Sequence, residues 1–246
     1  MVSSLLWRGL LAGLLAGFCA ATFSYVAGEP PLERALQYEE AVLAPHGEPQ
    51  EPEVVSRVVQ RSAGLFAAHA IYGAAAGGLF SLVFALCLGR LGSRDPQRLA
   101  AMIAALGFIA LALMPDLKYP PNPPAVGAAG SIGTRTELYF VMLAISLLAV
   151  ILAGTMAPVL SARLGRFNGL VLSAFIFIFA AGGAALALPP IDEVPPGFPA
   201  SALWYFRLAS LGARAVLWSV LGLAFGFLAK GPLEGKALTA PGLPHR

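Results

Sequence analysis

Charged side chains are scarce in this chain, and so are the residue types from which most metal centres and catalytic sites are made. Of its 246 residues only 12% are Asp, Glu, Lys or Arg, with two cysteines and three histidines. That charge density is too low to keep a globular fold of this size in water. Cys19 and Cys87 stand in separate apolar runs without the paired spacing of a zinc or redox motif, so neither a disulfide nor a thiolate centre is expected. There is no glycine-rich Lys-Ser/Thr loop to cradle a nucleotide's phosphates. One histidine, His69, falls within an apolar run, which leaves no pair of imidazoles to hold a haem, and no serine, cysteine or paired-aspartate constellation stands at that depth. The composition therefore predicts neither an enzyme nor a permanently bound cofactor. A formal charge of +3 gives no reason to expect nucleic acid as a partner.

Apolar residues fill the space that charge leaves: 58% of the chain, at a mean hydropathy of +0.76. A hydrocarbon layer about 30 Å thick takes roughly 20 helical residues at about 1.5 Å each. Six stretches reach or approach that length, at about 5–27, 62–88, 98–114, 137–161, 168–188 and 206–229. They predict an all-α polytopic membrane protein with six transmembrane helices in a lipid bilayer, and a single integral membrane domain over 1–246. The first run is read as a retained helix, because it is long for a secretory signal and no good cleavage site follows it.

Orientation follows from Lys and Arg. Arg8, Arg90, Arg94, Arg98, Arg163, Arg166, Lys230, Lys236 and Arg246 share one side, nine against the seven on the other, which predicts both termini in the cytoplasm of a bacterial cell and a multi-pass protein of its inner membrane. Eleven of the thirteen acids fall in or beside the three loops of the opposite face, at about 28–61, 115–136 and 189–205. Each of those loops opens where a helix runs into proline and an acid: Gly28-Glu29-Pro30-Pro31, Pro115-Asp116 and Pro189-Pro190-Ile191-Asp192. The spacing predicts that the helices stop there, since proline has no N–H to continue them. Residues 32–43 alternate as a short amphipathic helix lying on the membrane surface, ended by Pro45 to Pro52. Gly9, Gly13 and Gly17, Gly73 and Gly77, and Gly222 and Gly226 recur every fourth residue, the pattern of closely packed membrane helices.

Six side chains are candidate metal ligands. Glu29, Glu33, Asp116, Asp192 and Glu193 would lie at outer helix ends, where the carbonyl ends of helices favour cations. His69 lies about eight residues inside its helix, roughly 12 Å deep, and is either a ligand or a neutral imidazole bonded to a backbone or hydroxyl group. Arg214, at similar depth, is expected to clamp a carboxylate such as Glu137 or Glu193, and Arg207 to reach the acidic loops. Imidazole with carboxylate suits Co, Ni or Zn.

Four stretches carry a family resemblance: RGLLAGLLAG with GEPPLERALQYEEA (8–41), VSRVVQRSAGLF with IYG and GGLF (55–80), LKYPPNPPAVG with Arg135-Thr136 (117–136), and DEVPPGFPASALWYFRLASLG (192–212). Together they resemble the CbtA family of predicted cobalt-transporter subunits. The resemblance implies a membrane subunit of a cobalt uptake system supporting cobalamin synthesis, carrying Co2+ or Ni2+. It also implies a small single-span CbtB-like partner that carries histidines; a homo-oligomer is compatible with it. Lys118, Tyr119, Asn122 and Arg135 match the family's loop pattern, whereas Ala128 to Ser131 stand where many members carry acids. The alternative reading is an accessory or structural subunit of a larger membrane complex that transports nothing alone.

Overall fold

The computed structural model describes residues 2–43, 54–90, 95–127 and 130–238, and every secondary-structure element among them is helical. Six helical spans are long and apolar enough to cross a membrane: Val2–Val42, Arg57–Cys87, Pro96–Lys118, Ile132–Leu164, Arg166–Ala187 and Ala200–Gly231. The first consists of α1 (Val2–Phe23), a π-helical segment (Ser24–Gly28) and α2 (Glu29–Leu43). The second joins α3 (Arg57–Val59), a π segment (Gln60–Gly64) and α4 (Leu65–Cys87), and the third α5 (Pro96–Phe108), a π segment (Ile109–Leu113) and α6 (Met114–Lys118). Helices α7 (Ile132–Leu164), α8 (Arg166–Ala187) and α9 (Ala200–Leu238) complete the order.

Two of the three proline exits differ from expectation. The first helix does not stop at Gly28 but runs through Pro30 and Pro31 to Leu43, so the amphipathic stretch continues the first span instead of starting afresh after a loop. The third passes Pro115 and ends at Lys118. Only the exit after α8 breaks as expected, with Leu188 drawn into an extended conformation (ψ 144°) before Pro189. A π segment precedes each exit that the helix survives, and none precedes the one where it stops. The chemistry is visible at Pro115. It has no N–H to donate five residues back to Ala110, and the Ala110 carbonyl instead accepts from the Ser146 hydroxyl on α7, which is fully buried. The Pro45 to Pro52 breaker lies outside the described residues.

The chain divides into two compact units, one of residues 1–25, 53–105 and 213–246, the other of 26–52 and 106–212. In the first, α1 and α4 meet backbone to backbone. A Cβ on Gly9, Gly13 or Gly17 would collide with the carbonyl oxygen of Gly77, Gly73 or His69, and one on Gly73 or Gly77 with that of Gly13 or Gly9. The expected glycine stripes are therefore two halves of one contact. Beside it Phe80, Phe84 and Phe225 pack edge to face, with ring centroids 5.2 and 4.9 Å apart, over Leu5, Leu99, Leu217 and Leu221. Gly222 and Gly226 let α9 approach Ala104 and Gln97 of α5.

In the second unit α7 and α8 form a hairpin turned at Gly165 (φ +83°), and Gly169 leaves no room for a side chain against the Ser161 backbone. Tyr119, Met142, Ala149 and Ala181 form its main core. A smaller one joins Ala35 of α2, Val126, Phe198 and Ala202 of α9. Other glycines of this hairpin are unconstrained: at Gly154, Gly182 and Gly183 an added Cβ meets nothing within 4 Å.

Gly13→Val should therefore destabilise the protein by at least about 1–3 kcal/mol, the usual cost of overpacking. Gly154→Ala should be neutral or stabilising by up to about 1 kcal/mol, since alanine favours the helix. Thermal unfolding of the two variants in the same detergent checks the contrast; equal shifts would contradict the packing described.

Candidate functional site

His69 lies on α4, half-buried, and both ring nitrogens are engaged within the first unit. Nδ1 is 3.0 Å from the Leu65 carbonyl oxygen and Nε2 3.2 Å from Ser24 Oγ. A carbonyl only accepts, so Nδ1 carries a proton toward Leu65. The ring ties the second span to the first residue of the π segment in the first span.

Polar groups of the second unit gather on two segments: from Lys118, the last residue of the third span, to Arg135 in the first turn of α7, and residues 188–199, between α8 and α9. Each contains a turn built the same way. Pro123-Pro124-Ala125-Val126 and Pro195-Pro196-Gly197-Phe198 both close with an i to i+3 hydrogen bond of 3.2 Å, have proline second, and place the third residue at positive φ (+62° and +88°). That is the type II arrangement. Glycine suits the third position; Ala125 occupies it as the one non-glycine residue with positive φ among those described. The fourth residues, Val126 and Phe198, are both buried in the small core with Ala35 and Ala202, and Tyr38 meets the Phe198 ring edge-on at 5.0 Å.

Side chains then tie one segment to the other. Lys118 Nζ donates to the Leu188 carbonyl at 2.7 Å and Tyr119 Oη to that of Pro189 at 2.9 Å. Burial pushes the Tyr119 phenol above its ordinary pKa, which keeps it a donor. In the middle stands Glu193, whose side chain is only 5% exposed. Its Oε1 accepts from Ser131 Oγ, and its Oε2 from Asn122 Nδ2 at 3.2 Å, with Arg135 Nη1 at 3.5 Å. Arg135 also donates to the Pro120 carbonyl, and Arg207 Nη2 of α9 donates to Asn122 Oδ1 at 2.8 Å. With its oxygen held by Arg207, the Asn122 amide must turn its nitrogen to Glu193. Farther along, Tyr38 Oη donates to the Pro196 carbonyl at 3.3 Å.

The four loop-motif residues Lys118, Tyr119, Asn122 and Arg135 thus meet the 188–199 segment, and Arg207 meets Asn122. Among the described residues no group of three or more His, Cys, Asp or Glu could hold a metal ion. His69 belongs to the first unit and the five acids to the second. Glu193 is paired with Arg135, and Glu137 is exposed. Glu29 is half-buried and Glu33 exposed, both on a helix that continues past them, so the argument from a helix C-terminus does not apply to either. Asp192 is exposed and accepts from the Val194 N–H at 3.4 Å. Asp116 stands apart: it is 7% exposed, two residues from the end of the third span.

Ser131, Tyr38 and Ser146 were not legible as polar partners. Their hydroxyls act on groups 62, 158 and 36 residues away in sequence, which no local pattern reports. Two substitutions test the arrangement by denaturant or thermal unfolding. Gly197→Ala should cost about 1–2 kcal/mol from the positive φ alone, since its Cβ meets only Tyr38 Oη at an ordinary 3.7 Å. Glu193→Ala should cost about 1–3 kcal/mol by leaving its donors unserved, and its effect should not add to that of Asn122→Ala. Additive effects would mean the two do not interact.

Comparison with known proteins agrees with the loops and spans. No curated protein and no solved structure matches the chain. The family described as "Probable cobalt transporter subunit (CbtA)" matches residues 2–230, nearly the whole sequence. With six apolar spans beside that match, this is a multi-pass membrane protein, and the chain belongs to the CbtA family of probable cobalt transporter subunits.

Proposed function

We propose that the chain is the membrane-embedded subunit through which Co2+, or Ni2+ by the same chemistry, enters a bacterial cell in support of cobalamin synthesis. The single observation that carries the reading is the family match over residues 2–230. The Lys and Arg bias supports both termini in the cytoplasm, with the 118–135 and 188–199 segments on the outer face of the inner membrane and the chain as one integral domain. An inside-negative potential favours entry of a divalent ion by about 4.6 kcal/mol per 100 mV, twice the single-charge value. Facilitated entry therefore needs no catalytic step.

Asp116 is the carboxylate best suited to receive the ion, because it is buried near the end of an apolar span, where an ionisable group usually serves a pathway. Glu29, Glu33 and Asp192 would add negative potential on the approach. His69 and Glu193 are bonded to protein groups and serve as ties. Imidazole ligands would come from a small single-span CbtB-like partner, and a homo-oligomer is compatible with the same arrangement.

A second reading, an accessory subunit that moves nothing alone, is favoured by the absence of a three-ligand metal group among the described residues. Vesicles separate the two. With an imposed inside-negative potential, the chain alone or with its single-span partner should give saturable uptake of radioactive cobalt, and Asp116→Asn should lower it at least tenfold. Uptake unaffected by Asp116→Asn removes that residue from the path; no uptake with or without the partner leaves the accessory reading.

A further inference from the structure

We propose that residues 188–199 form a strap across the Lys118 end of the third span and that the Glu193 carboxylate is its latch, so that opening and closing of the strap controls access to Asp116. The inference rests on the reading of Asp116 as the cation-receiving carboxylate. Its physical basis lies wholly within the second unit.

The strap is fastened at both ends by contacts of different kinds. At its start, the Leu188 and Pro189 carbonyls accept from Lys118 and Tyr119, two and three residues beyond Asp116. At its finish, Phe198 is buried against Ala35, Val126 and Ala202, with Tyr38 bonded to the Pro196 carbonyl. Between these anchors Asp192, Val194, Pro196 and Gly197 are exposed, and the middle is held through Glu193. Prolines at 189, 190, 195, 196 and 199 stiffen the segment. Loss of one tie in the middle of a stiff segment shifts its length as a piece.

The latch is suited to reversal. The Glu193 side chain is nearly buried, so closing removes a charge from water and opening returns its hydration, which offsets part of the cost of breaking its bonds. The donors are prepared without it. Arg135 is also bonded to the Pro120 carbonyl, and Arg207 holds the Asn122 amide with its nitrogen toward the latch. When Glu193 leaves, these groups keep their places and the acid returns to the same receptacle. A static brace would need no such independent anchoring of both partners. Arg135 and Arg207 also make this receptacle basic, so an entering cation is repelled from it and left to the acids nearby.

Thiol chemistry tests the strap in the full chain, purified in detergent, with Cys19→Ala and Cys87→Ala as background. Asp116→Cys should react slowly with a charged methanethiosulfonate. Adding Glu193→Ala, or Glu193→Gln as the variant that keeps the side-chain volume, should accelerate the reaction at least tenfold. Ser173→Cys, buried on α8 in the same unit, serves as the control and should keep its rate. An unchanged rate at position 116, or an equal rise at 116 and 173, overturns the latch. In a second measurement, Ser131→Cys and Glu193→Cys are bridged by a short reductant-cleavable thiol cross-linker and cobalt uptake is followed in vesicles. Bridging should lower uptake at least tenfold and reductant restore it; uptake indifferent to the bridge overturns the gate. If the cysteine-free parent takes up no cobalt, the transport reading is what fails, and the labelling rates decide the strap.

Discussion

Proline creates backbone carbonyls that no backbone N–H can serve, and the polar architecture of this protein depends on how those carbonyls are satisfied. Inside a bilayer an unserved carbonyl is costly because no water replaces the missing donor. At Pro115 the helix answers with a π segment, and Ser146 supplies the missing donor to Ala110. Where the chain leaves the helices, long side chains take over. Lys118 serves Leu188, Tyr119 serves Pro189, Arg135 serves Pro120 and Tyr38 serves Pro196. Three of those four acceptors belong to proline and the fourth to the residue before one. The prolines thus stiffen these segments, and long side chains serve the carbonyls at or beside them.

That constraint also sorts the charged residues. A Lys or Arg that serves a carbonyl is committed to the backbone, and a carboxylate within its reach becomes a structural partner, as Glu193 does beside Arg135. His69 is committed in the same way, between the Leu65 carbonyl and Ser24. Asp192 lies on the surface and Asp116 is buried near the end of its span, so ionisable groups of one type stand in different settings according to what their neighbours need.

The six spans are legible in the sequence because hydropathy over roughly 20 residues is a strong signal in a chain with so little charge. The Gly9-Gly13-Gly17 and Gly73-Gly77 stripes announce close packing, but not that they face each other, since spacing reports a helix face and never its partner. The proline exits mislead for a physical reason. Proline forbids one hydrogen bond, and a π segment changes which bond is needed, a change no residue pattern encodes. The loop motif KYPPNPPAVG can be singled out by its residues, and Arg207 by its place at the end of a span. Asn122 meets Glu193 and Arg207 across 71 and 85 residues, and Ser131, which also donates to Glu193, stands where the sequence alone reads only a missing acid.

The paired turns bring the two segments into one small core. Val126 and Phe198 enter one small core from turns of the same form, so displacing either segment disturbs the packing of the other. The core is small, with Ala35 and Ala202 as its floor, and buries two side chains of moderate size. By area alone it is a weak clasp, since burial of one such side chain contributes about 1.5–3 kcal/mol. Hydrogen bonds worth about 1 kcal/mol each therefore carry a comparable share of the attachment. In that balance a single buried carboxylate with three donors contributes as much to joining the segments as the small core does.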